Sequence, residues 1–103
     1  MTGPDRRRFP RHPFRAQVKI EWGSQVLERQ TRLLSTGGMF IECADQLWVG
    51  ASFSVVLMLG AAVRVDCVVR MVEPGRGMGV EFFNVPAEAR AQIERCITAL
   101  AAQ

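Results

Sequence analysis

Tyrosine is absent from the 103-residue chain, histidine occurs once, and every basic residue except Lys19 is an arginine. With only His12, which stands among arginines and prolines, a histidine-rich metal site is excluded and a Ser-His-Asp or Cys-His pair is disfavoured. Cys43, Cys67 and Cys96 lie far apart with no C-x-x-C pair, so neither a disulfide framework nor a zinc site is indicated. No metal, no cofactor, no catalytic residue and reduced thiols are the expectations, and the chain reads as a non-enzyme.

Long apolar runs are also lacking. Eighteen uncharged residues separate Asp45 from Arg64, but Gln46, Gly50, Ser52, Ser54 and Gly60 interrupt them, and the longest solid piece, Val55 to Leu59, has strand length. Lys19 and Glu21 break the first apolar segment where a signal peptide would need an uninterrupted one. A cytoplasmic protein with no membrane insertion is expected. The content, 49% hydrophobic and 22% charged, is that of one ordinary globular domain.

The net charge of +3 is unevenly distributed. Arg6, Arg7, Arg8, Arg11 and Arg15 face one acid, Asp5, in the first fifteen residues, while the remainder is close to neutral. Arginine offers a planar fork of donors suited to phosphate and to the guanine edge, so an anionic partner is implied. Nucleic acid is not expected, because the charge is confined to one short leader and no aromatic stacking platform accompanies it. Residues 1–13 combine the arginines with Pro4, Pro10 and Pro13 and are expected to be a flexible leader, mobile without ligand.

Beyond the leader, hydrophobic alternation reads as six strands. Phe14 to Trp22 alternates without exception, and Val26 to Leu34 alternates poorly, as suits a strand near a sheet edge. Met39 to Cys43, Phe53 to Leu59, Ala62 to Val72 and a last strand carrying Met78, Val80 and Phe82 complete the set. Gly37-Gly38 is read as a positive-φ reversal, and Leu47, Trp48 and Val49 as a cover over one end of the core. Short turns between six strands imply an antiparallel sheet curled into a barrel. Ile93, Cys96, Ile97 and Leu100 recur at helical spacing after Pro86, predicting an amphipathic helix over 86–102 that ends a barrel domain spanning 14–103.

Two short features remain. Arg6-Arg7-Arg8-Phe9-Pro10-Arg11 precedes the first strand, and Ser35-Thr36-Gly37-Gly38 ends the second, where small residues can expose backbone N–H groups. In this order and on this strand pattern they resemble the PilZ domain. The resemblance rests on R-x-x-x-R at Arg7 and Arg11, extended by Arg6, and on Ser35 and Gly38 of a [D/N]-x-S-x-x-G motif. It also rests on Gly37-Gly38-Met39-Phe40-Ile41 and on Met78-Gly79-Val80-Glu81-Phe82. It implies a mainly β fold, a six-stranded antiparallel barrel with one C-terminal α-helix. It further implies a receptor for cyclic di-GMP that passes the signal to a protein partner in motility, pilus or biofilm regulation.

By the same resemblance Arg6, Arg7, Arg11, Ser35 and Gly38 are the ligand-binding residues, flanked by Leu33 and Gly37, and Arg6 implies that a stacked nucleotide dimer is bound. Leu33 stands where the family has Asp or Asn, and leucine cannot make the hydrogen bonds that hold a guanine edge. The alternative is therefore a PilZ interaction module that has lost the nucleotide. Leu33 shares the parity of Arg29, Thr31 and Ser35, so all four are expected to point outward.

Overall fold

The computed structural model describes residues 11–102. Seven strands and one helix follow in order: β1 His12–Pro13, β2 Gln17–Trp22, β3 Gln25–Leu34, β4 Gly38–Glu42, β5 Ser52–Met58, β6 Ala62–Glu73, β7 Gly77–Phe83 and α1 Ala87–Ala101. Six of them, β2 to β7, close an antiparallel barrel in the order β3-β2-β5-β6-β7-β4, with β4 returning to β3. The two-residue β1 is an addition to the expected six, paired to β3.

Alternation explains the barrel. Val18 and Ile20 of β2, Phe53, Val55 and Leu57 of β5, and Val63, Val65, Cys67 and Val69 of β6 are all buried, while residues between them face outward. The β3–β4 pairing closes the barrel, and β3 divides its length to make it: Gln25–Gln30 pair with β2 and Gln30–Leu34 pair with β4. The first half of β3 thus has a strand on one side only, which accounts for its polar sequence. Gly23 supplies the positive φ that the tight β2–β3 reversal requires.

Helix α1 begins one residue later than expected, with Pro86 as its N-cap. Ala89 and Ile93 are buried, Cys96 and Ile97 pack at the margin of the core, and the helix lies against β6 and β1. The expected end cover is only partly present. Leu47 packs on the core, but Trp48 and Val49 are exposed, Trp48 standing edge-on to Trp22 with ring centroids 5.3 Å apart.

Burial pushes the Cys67 thiol far above its ordinary range, with the nearby Asp66 charge adding to the effect. Cys67 is fully buried in the barrel and should stay protonated and inert. Its alkylation by iodoacetamide at pH 8 is expected to follow the rate of global unfolding, measured in parallel by fluorescence. Labelling faster than unfolding would contradict this packing.

Candidate functional site

Arg11, the described end of the first motif, and the Ser35 turn lie where β1, the end of β3 and the β3–β4 turn adjoin. His12 pairs with Leu34 and Pro13 with Leu33; Arg11 directly precedes the first of these pairs and Ser35 directly follows it. Arg11 is exposed there. Residues 1–10, with Arg6 and Arg7, lie outside the described residues, as does nearly all of the segment expected to be mobile. His12 and Pro13, counted with the leader in the sequence, form a two-residue strand paired to β3.

Between β1 and β2 the chain leaves the ladder, and Thr31 fills the gap. Its hydroxyl accepts from the Ala16 N–H at 3.0 Å and donates to the Phe14 carbonyl at 2.9 Å. Backbone bonds from Thr31 N–H to Ala16 and from Phe14 N–H to the Arg32 carbonyl flank it. Thr31 is 0% exposed, not outward as expected.

Leu27 and Arg29 pair with the inward Ile20 and Val18, so residues 27, 29 and 31 form the inner parity of β3, and a bulge follows directly after Thr31. Thr31 pairs with Ile41 and Leu33 with Phe40, leaving Arg32 as an extra residue. Two consecutive residues then oppose one, which shifts the alternation. Thr31 and Leu34 face inward, whereas Arg32 and Leu33 stand half-buried beside Phe40. Leu33 does lie on the outer face, but because of the bulge, since Thr31 and Ser35 are both buried.

Phe40 sits on the outside of the barrel between the inward Met39 and Ile41, yet it is 2% exposed. A Cβ at Gly77 would come within 2.6 and 2.8 Å of the Phe40 ring, so the glycine makes the slot in which the ring lies. The Arg32 guanidinium covers it, 4.5 Å from the ring centroid, a cation–π contact. Among the described residues no carboxylate comes within ion-pair distance of Arg32, although its charge contributes to lowering the Glu42 carboxyl. The main cause of that lowering is the hydrogen bond from Arg15, which grips Glu42 at 2.7 and 3.1 Å. Arg15, counted with the basic leader, is therefore engaged within the domain.

The turn residues also differ from expectation. Ser35 is 7% exposed; its hydroxyl accepts from the N–H groups of Gly37 and Gly38 at 3.3 and 3.1 Å and lies 3.2 Å from the Gly38 carbonyl, to which it donates. Gly37 and Gly38 have no positive φ. Gly38 is needed for close approach: a Cβ there would strike the Val80 carbonyl of β7. Gly37 joins the same contact by accepting from the Phe82 N–H at 2.9 Å.

Sequence reasoning missed Arg32, Thr31 and Phe40. A threonine amid the polar half of a strand reads as solvent-facing, and only the pairing with β2 and β4 shows that its parity is the inner one and that a bulge then turns Leu33 outward.

The family model of the PilZ domain matches residues 5–99. Among solved structures the fold is similar to the inhibitor of motility MotI/DgrA of Bacillus subtilis, with a TM-score of 0.82 and 21% identity over 97% of this chain and 53% of that one. It is also similar to the PilZ domain of YcgR from Escherichia coli with cyclic di-GMP, at TM-score 0.76 and 20% identity, covering 95% of this chain and 93% of that one. A third is MrkH, a cyclic di-GMP-dependent transcription regulatory factor, at TM-score 0.76 and 16% identity, with 95% and 52% covered. The chain thus spans about half of MotI/DgrA and of MrkH. No curated protein matches the sequence. With the motifs, the closed barrel and a family match over nearly the whole chain in agreement, this chain belongs to the PilZ domain family.

Proposed function

We propose that this chain is a cytoplasmic receptor domain for cyclic di-GMP, a binding module and not an enzyme, that couples the nucleotide to a protein partner in motility, pilus or biofilm control. The observation that carries the reading is the β1–β3 register, which brings the end of the R-x-x-x-R motif beside the Ser35 turn. Arg7 and Arg11 would close over the nucleotide from the leader side, gripping phosphate and stacking on purine. Ser35, Gly37 and Gly38 hold the turn, and contribute by shaping the surface on which the nucleotide rests. Arg6, just before the motif, would admit a stacked nucleotide dimer, two molecules per chain. DNA is not the proposed partner, since basic charge is concentrated in the leader.

A second reading, an interaction module without nucleotide, is favoured by Leu33 and by the full engagement of Ser35 within its own turn. Calorimetric titration with cyclic di-GMP decides between them. Binding by the wild type, weakened roughly tenfold to a hundredfold in Arg7→Ala or Arg11→Ala as a charged hydrogen bond is lost, is the expected result. Leu33→Asp is expected to raise affinity about tenfold by adding a polar group on the outer face. A folded wild type and a folded Leu33→Asp that both fail to bind would establish the interaction module instead.

A further inference from the structure

We propose that Arg32 is the residue that reads the purine at this site, taking over the recognition that Leu33 cannot perform; the inference rests on the receptor reading above. The bulge in β3 sets Arg32 and Leu33 side by side on the outer face, one register step from the pairs that carry Arg11 to the Ser35 turn. Arg32 is outward by the ordinary alternation of β3, and the bulge turns Leu33 onto the same face, so the guanidinium stands where the strand also presents the position of the motif's missing polar group.

Its chemistry selects the partner. The guanidinium lies over the Phe40 ring, which fixes its plane, and no carboxylate among the described residues occupies its donors. A planar fork of N–H donors with one face covered presents its edge to a pair of acceptors. Guanine offers that pair at O6 and N7, whereas adenine places an amino donor where O6 would be. Leu33 offers no acceptor for the N1–H and 2-amino group of guanine. Recognition at this position therefore runs through the acceptor edge of the base, and the 2-amino group is left unread.

Three cyclic dinucleotides separate the possibilities: cyclic di-GMP, cyclic di-IMP, which keeps O6 and N7 but lacks the 2-amino group, and cyclic di-AMP. Calorimetric titrations of the wild type should give affinities for the first two within about threefold, and weaker binding of the third by roughly tenfold to a hundredfold, the worth of one bidentate pair. Arg32→Ala should lose that factor for cyclic di-GMP and cyclic di-IMP and change cyclic di-AMP little. Arg32→Lys keeps the charge without the fork and should fall close to Arg32→Ala. Circular dichroism melts of both variants check the fold, which an outward side chain should leave intact.

Equal losses for all three ligands in Arg32→Ala would make Arg32 a phosphate contact and overturn the proposal. So would unchanged binding of cyclic di-GMP by that variant, or a wild-type preference above tenfold for cyclic di-GMP over cyclic di-IMP. In each of those cases the receptor reading survives, because the wild type binds. Failure of the wild type to bind any of the three removes both.

Discussion

Gly38→Ala is expected to destabilise the domain by about 3 kcal/mol, at the upper end of what overpacking costs. The added Cβ would run into the Val80 carbonyl oxygen and lie 3.1 and 3.2 Å from the Val80 carbonyl carbon and the Glu81 Cα. All three are backbone atoms of β7, held by the pairing of Gly38 with Glu81 and of Met39 with Val80, so the strand cannot yield without opening the seam. Gly79→Ala provides the comparison. Its Cβ would meet only the Met71 side chain, at 2.8 and 3.4 Å, and methionine can move aside for about 1 kcal/mol or less. Urea denaturation should show a large fall in midpoint for the first variant and a small one for the second. Equal midpoints would mean that β4 and β7 do not approach as closely as the barrel requires. The result also bears on function: a loss of nucleotide binding in Gly38→Ala reports a disturbed turn, and Arg11 and Arg32 remain the positions that test ligand contact directly.

What could be read from the sequence was whatever alternation governs. Val18 and Ile20, or Val63 through Val69, follow a period of two because each lines one continuous interior, and their strands were legible to within a few residues. The family resemblance likewise located the turn at Ser35 and the closing strand. The details of the site were not legible, since they depend on contacts between segments distant in sequence. Gly37-Gly38 looks like a reversal, but the demand for glycine comes from β7, more than forty residues later. Thr31, Arg32 and Leu33 look like ordinary alternation, and only the extra residue against β4 moves two of them to one face. A tripeptide with no glycine or proline gives no sign of a bulge.

Thr31→Val should expose how the leader is tied to the barrel. Valine matches threonine in shape, so the substitution removes the hydroxyl and little else. The Ala16 N–H and the Phe14 carbonyl then lose their partner in a region closed to water, since Thr31 is 0% exposed. Each buried group left unsatisfied costs about 1–3 kcal/mol, and the extra apolar contact offsets only part, so a loss of about 2 kcal/mol or more is expected. Thr31→Ser keeps both hydrogen bonds and gives up one methyl, for roughly 1 kcal/mol. Hydrogen exchange should show the valine variant opening first at Ala16 and at the β1 residues, whose pairing to β3 begins just beyond Phe14. Because β1 delivers Arg11 to the Ser35 turn, cyclic di-GMP affinity should fall with that loosening although residue 31 faces away from the ligand surface. A Thr31→Val protein as stable as wild type would mean that water or a shifted backbone satisfies the two groups; the leader would then be anchored by β1 pairing and α1 alone.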